Sequence, residues 1–195
     1  MAVKNPPPPV DFDAARVDKG PLTPLQLKRE AIVREHMDTE NRHEVEPAIA
    51  TFADRPRYEL YSMQEFFDGH EAVNLYFTDL WKTFPDLRAE LINLRHAEDA
   101  VIIEVELAAT WLGPFRGLPP TGASYRCRQA VFFLFEDDRL VIERVYFDAI
   151  TVLRQLGLAD DPTKMRGQLT AVLTHPGTVV RGLKRMIATR RGSGG

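Results

Sequence analysis

"FFDGHEAVNLYFTDLWKTFPDL", residues 66–87, contains the strongest periodic signal in the chain. Its apolar residues Val73, Tyr76, Phe77, Leu80, Trp81 and Phe84 follow one another at helical spacing and form a single buried stripe. Asp68 is placed to cap this helix, with Glu71 completing a capping box, and Pro85 ends it. Beyond Pro85 the period changes to two, giving strand candidates near 87–96, 100–112, 124–136 and 139–148. "AED" (97–99) and "EDD" (136–138) supply short turns, while "GPFRGLPPTGASYR" (113–126) forms the longer second connection. Helices followed by an antiparallel meander, closed by a helix at "AITVLRQLG" (149–157), make an α+β fold. A sheet curled around a long helix leaves a cavity wherever side chains do not fill the cone, an architecture suited to small hydrophobic ligands.

Upstream, residues 1–22 carry "NPPPP" and scattered charges, which reads as an extended arm, either mobile or laid across a neighbour. A helix starts with Thr23 as N-cap and Pro24 at its first position; Leu25, Ile32 and Val33 lead into "REHMDTENRH" (34–43). Pro47 opens a short helix, "PAIATF", and "RYELY" (57–61) is strand-like. The folded domain spans 23–158. Residues 159–195 form a helical, basic extension whose pattern breaks at His175-Pro176-Gly177. Its second half sets Val179, Val180, Leu183 and Ile187 against Arg181, Lys184, Arg185, Arg190 and Arg191, which suits packing on this protein or a symmetry mate, or contact with a membrane surface. "GSGG" at the end reads as a flexible tail.

The 195 residues are 44% hydrophobic, enough for one buried core, with a formal net charge of −3 and a pI near 6.0. No summed field draws nucleic acid or an acidic membrane, and a small, weakly charged partner fits better. A lone cysteine, Cys127, excludes an internal disulfide and any zinc site on paired thiolates, and its strand-like context makes it a buried thiol. No signal-peptide-like segment and no run of membrane-spanning length is read, so cytoplasmic residence is expected.

Three separated motifs, "FFDGHEAVNLYFTDLWKTFPDL", "GPFRGLPPTG" and "VYFDAITVLRQLGL", resemble in order and spacing the SnoaL-like polyketide cyclases, or ester cyclases, of the superfamily typified by nuclear transport factor 2 and ketosteroid isomerase. The resemblance covers about residues 25–158. It implies a cone-shaped curved antiparallel sheet wrapped around N-terminal helices, a homodimer, a deep apolar pocket, and no metal or organic cofactor. Family cyclases close rings by intramolecular aldol chemistry, and relatives isomerise, dehydrate or hydrolyse. All need a general acid or base in an apolar cavity, where burial raises a carboxyl pKa toward working pH. The chain departs from the pattern twice: Val145 stands at the position of the cyclases' last-strand acid, and Trp111 where many members have histidine.

Candidate catalytic residues follow from chemistry and placement. Asp148 ends the last strand beside Tyr146, where it acts either as acid or base at the pocket mouth or as cap of the following helix. His36, Glu40 and His43, spaced i, i+4, i+7, share a face of one continuous helix, giving either a proton-shuttling carboxylate and imidazole or a solvated polar face. The resemblance places the end of that helix on the cavity and so offers Glu40 as a substitute for the acid missing at 145. The three also match a two-histidine, one-carboxylate metal set in residue type, but no metal is expected. Glu143 shares parity with Val145 and can face the same pocket. Glu104 and Glu106 are expected on the outer face as partners of Arg126 and Arg128.

The 113–126 loop lacks the lysine and Ser/Thr of a phosphate cradle and no helix follows it. The resemblance implies a lid with Trp111, Phe115 and Leu118 as apolar walls; Tyr76, Val145 and Tyr146 complete the expected ligand contacts. The leading expectation is a cofactor-independent enzyme moving protons on a hydrophobic, cyclic or polyketide-like molecule. A ligand-binding protein of the same fold that lost the acid, and a dimeric module acting through its basic tail, stand beside it.

Overall fold

The structure is a computed structural model that describes residues 11–18, 20–161 and 163–192. The chain forms two compact units, Met1–Leu156 and Gly157–Gly195. In the first, the helices α1 (Phe12–Ala15), α2 (Pro24–Asn41) and α3 (Val45–Ala50) precede the strands β1 (Phe52–Leu60) and β2 (Glu65–Asp68) and helix α4 (His70–Thr83). Then come β3 (Arg88–His96), β4 (Ala100–Thr110), β5 (Ser124–Glu136), β6 (Arg139–Phe147) and α5 (Ala149–Gln155). The second unit holds α6 (Met165–Thr174) and α7 (Pro176–Gly192), which meet at the expected His175-Pro176 break. Among the described residues no helix is long and apolar enough to cross a membrane.

The α+β class holds: the sheet is curved, unclosed and ordered β2-β1-β6-β5-β4-β3. All pairings are antiparallel except β1 with β6, where the meander's last strand returns alongside the first strand. Register shifts at Leu91/Asn93 and Leu134/Phe135 supply local bends. Arg128 reaches Glu104 (2.9 Å) and Arg126 reaches Glu106 on the outer face, as alternation along β4 and β5 requires. The inner face packs Val101, Ile103, Val105, Val131 and Phe133 in one core with Val33 and Met37 of α2 and Val73, Phe77 and Trp81 of α4.

Three local expectations are corrected. Helix α4 is capped by Gly69 at φ 89°, not by Asp68, which ends β2 and pairs with Arg55 at 2.8 Å; Glu71 completes no capping box. Helix α3 starts at Val45, before Pro47. Strand β1 is longer than "RYELY": it runs through Pro56, and its pairing with β6 shifts between Phe52 and Arg57, where a residue without N–H is tolerated. Where it is described, the arm packs on its own domain. Phe12 is fully buried, Arg16 pairs with Glu30 at 2.6 Å, and Val17 N–H donates to the Leu94 carbonyl at 2.9 Å. The proline run at 6–9 lies outside the described residues.

Candidate active site

The candidate site grows from two periodicities. Along β6, alternation turns Glu143 and Val145 inward and Tyr146 outward. Along α2, His36 and Glu40 lie one turn apart, and His36 is fully buried against β6. His36 Nε2 lies 2.9 Å from Glu143 Oε2 and 3.5 Å from Glu40 Oε1. Its Nδ1 lies 2.7 Å from Thr51 Oγ1, and the Thr51 hydroxyl donates to the Ala48 carbonyl at 2.7 Å. With its one proton spent on Ala48, Thr51 can only accept, so Nδ1 carries hydrogen. Nε2 therefore faces Glu143 either as an imidazolium N–H or as a bare lone pair met by a protonated carboxyl. In both cases one proton is held between the two.

Electrostatics agree with this count. Burial pulls the His36 pKa down, but Glu40 and Glu143 outweigh it and raise it well above the ordinary imidazole value. Burial and the Glu40 charge push the Glu143 carboxyl up to about 7, against hydrogen bonding from His36 and Tyr58. The imidazole is walled by Phe52, Phe77 and Phe133, with ring centroids 5.2, 6.5 and 5.5 Å away. Burial also raises the Tyr58 and Tyr76 phenols, so both remain neutral donors.

Glu143 and Glu40 open onto a cavity of about 160 Å³ whose wall includes Tyr58, Leu60, Tyr76, Leu80, Trp81, Val105, Tyr125 and Phe115. Arg116 and Glu65, both partly exposed, form an ion pair on its wall. The 113–118 segment is held by a two-residue turn: Phe115 and Leu118 exchange backbone hydrogen bonds of 3.0 and 2.8 Å, and Arg116 and Gly117 take φ of 50° and 81°. It is also fastened to the end of α4, because the N–H groups of Leu112 and Gly113 donate to the Thr83 carbonyl at 3.0 and 2.9 Å.

Gly113 has no room for a side chain: a Cβ there would stand 2.0 Å from the Lys82 carbonyl oxygen. Gly113→Ala is expected to cost about 1–3 kcal/mol by overpacking, read as a lower urea midpoint at unchanged slope. A midpoint within error of the parent would show that the loop does not sit on α4 this closely.

The structure separates the sequence candidates. Glu40, Glu143, Tyr76 and Phe115 stand on the cavity wall, with His36 directly behind the carboxylates. Asp148 is instead the N-cap of α5; it accepts from Thr151 N–H (3.0 Å) and hydroxyl (2.6 Å), and these bonds lower its pKa. His43 follows the end of α2 at φ 58°, is hydrogen-bonded to the Leu87 carbonyl (2.9 Å) and stacks on Trp81 (5.1 Å), outside the cavity lining. Trp111 is buried behind the loop, its indole N–H donating to the Gly113 carbonyl at 2.7 Å. Val145 is buried off the wall, Leu118 is exposed, and Tyr146 stacks on Tyr61 (5.2 Å) on the other face of the sheet. Tyr58, Trp81 and Thr51 were not singled out for the site. Tyr58 could have been found by its place in "RYELY"; Thr51 follows a short helix and gives no signal.

For a metal, the two-histidine set is not assembled, since His43 lies apart. His36, Glu40 and Glu143 do offer one ligand atom each, all within 4.8 Å of one another. The same three atoms are accounted for by the shared proton and the compensation of two carboxylates by one imidazolium.

Residues 30–156 match the family described as SnoaL-like polyketide cyclase. Solved structures of similar fold include a candidate SnoaL-like polyketide cyclase from Jannaschia sp. CCS1 (20% identity, TM-score 0.65, covering 73% of this chain and 99% of that one). A second is IdmH, a candidate polyketide cyclase from Streptomyces antibioticus (20%, 0.57, 66% and 98%). A third is a Catenulispora acidiphila protein with a ketosteroid isomerase-like fold, in complex with trimethylamine (16%, 0.56, 65% and 92%). No curated protein matches the chain.

Proposed function

The chain belongs to the SnoaL-like polyketide cyclase family, and on that premise we propose that it is a cofactor-independent acid–base enzyme acting on a small hydrophobic, ring-containing substrate, with Glu143 as the proton-transferring group. One observation carries the reading: a buried carboxyl, sharing a proton with His36, opens onto an apolar cavity. A base so placed works near neutral pH, because burial and Glu40 raise its pKa to about 7. His36 is a positioning residue that orients Glu143 and offsets its charge. The Tyr76 hydroxyl, kept neutral by burial, belongs to the same wall and is the donor available to an oxyanion formed by removing a carbon-bound proton, the Tyr58 proton being spent on Glu143. Glu143 thus takes over the task of the acid absent at Val145, two positions earlier on the same strand face.

The test uses 5-nitrobenzisoxazole, whose ring opening needs only one base in an apolar site. The base removes the C–H proton, a nitrile forms, and the N–O bond breaks to leave a phenolate. Saturable turnover that survives dialysis against a chelator and is lost in Glu143→Gln supports the proposal. Loss on chelation would instead assign the His36, Glu40 and Glu143 atoms to a metal ion, and turnover equal in Glu143→Gln would remove Glu143 from the role.

Occupancy has its own reporter. Trp81 lines the cavity and Trp111 does not. Titration with 2-naphthol is expected to quench tryptophan emission equally well in Trp111→Phe and not in Trp81→Phe; the reverse pattern would place the ligand behind the loop.

A further inference from the structure

A second space lies outside α4, bordered by β2 and the 113–116 segment, and offers about 710 Å³. It shares Glu65, Tyr76, Leu80, Phe84, Phe115 and Arg116 with the cavity, so the two spaces are separated by no more than a single layer of side chains. The cavity by itself, about 160 Å³, matches an engineered apolar cavity that takes one benzene ring and falls below the usual range of ligand pockets. We propose that this groove is a second substrate subsite, which takes an uncharged alkyl or acyl arm while the ring-bearing head reaches Glu143. The proposal rests on the proton-transfer reading for the head alone.

The groove's own chemistry selects such an arm. Phe66 and Leu75 are 48% and 58% exposed on it, large apolar side chains facing water. Its charges cancel in sign: Asp79 and Lys82 lie on α4, and Glu65 is already paired with Arg116. An anionic or cationic arm gains no net field there, whereas a methylene chain covers Phe66 and Leu75. The Arg116–Glu65 pair spans the shared wall with both side chains partly exposed, a type of ion pair weak enough to yield to an entering chain.

The experiment is a binding series of 2-naphthyl alkyl ketones, methyl through heptyl, followed by Trp81 emission in Trp111→Phe protein. Affinity is expected to rise up to about fourfold per added methylene until the groove is filled. Leu75→Glu, an exposed change that spares the core, should flatten the series while leaving the methyl ketone's Kd unchanged; Phe66→Ser should halve the slope or more. A flat series in the parent protein, or a slope that persists in both variants, overturns the subsite. A slope that disappears as protein concentration rises overturns it too, by making the groove a contact between copies. Glu143→Gln should lose nitrobenzisoxazole turnover and keep the slope; a slope kept while turnover is equal in Glu143→Gln fails the proton-transfer reading alone, and turnover lost in Glu143→Gln beside a flat series in the parent fails the subsite alone.

Discussion

Glu143→Gln is expected to lower kcat/KM for 5-nitrobenzisoxazole by two to four orders of magnitude, the usual contribution of a positioned general base. The amide keeps the side chain's length and its contact with His36 but cannot accept the proton. The parent enzyme's kcat/KM should rise with pH through about 7 as Glu143 ionises, and that rise should vanish in the variant. Glu40→Gln separates charge from chemistry. Glu40 repels the Glu143 carboxylate and so helps to hold its pKa up; removing that charge should move the midpoint to lower pH without abolishing turnover. An unmoved midpoint in Glu40→Gln, or an intact profile in Glu143→Gln, would put the base elsewhere.

That assignment could be read only in part from the sequence. Helix α4 and strands β3–β6 were legible because their apolar residues repeat at 3.6 and at 2, and a long period leaves few alternatives. Parity along β6 also put Glu143 on the inner face, and the α2 spacing put His36 and Glu40 together. What could not be read was the pairing between them. His36 and Glu143 are 107 residues apart, brought together where α2 packs on β6, and contact between elements so remote in the chain leaves no local mark. Strand β1 was obscured by Pro56 and its charged neighbours, and the four-residue β2 is too short for a period. Trp111 misled for a physical reason: an indole beside a glycine-rich loop suits a ligand wall, but its N–H finds a partner in the loop's own Gly113 carbonyl, and the ring turns into the core.

The second large effect concerns stability. His36→Leu is expected to destabilise the protein by about 3–5 kcal/mol near pH 8, the cost of leaving buried charge without its partner. The imidazole is fully buried, and its removal leaves the Glu143 and Glu40 carboxylates within 4.8 Å of each other on the wall of an apolar cavity. The stability of both proteins should depend on pH, and the sign follows from proton binding. In the variant the folded state tolerates Glu143 only as the neutral acid, so its carboxyl pKa lies above the unfolded value near 4.3. The folded state then binds more protons than the unfolded one, and stability falls as pH rises above that value. The parent protein shares the trend. Its Glu143 pKa is raised to about 7 and its His36 pKa is raised as well, so the stability from each is present in acid, below its unfolded pKa, and is lost as pH climbs through the folded one. The gap between variant and parent should therefore already be present at pH 5, where the paired imidazolium contributes fully, and should not widen toward pH 8, as read from urea midpoints. Adding Glu143→Gln to His36→Leu should recover a large part of the loss at pH 8, because the amide needs no counter-charge. A gap under about 1 kcal/mol, a parent stability that does not fall from pH 5 to pH 8, or a double variant no better than the single would mean that His36 and Glu143 do not share the proton on which the proposed chemistry depends.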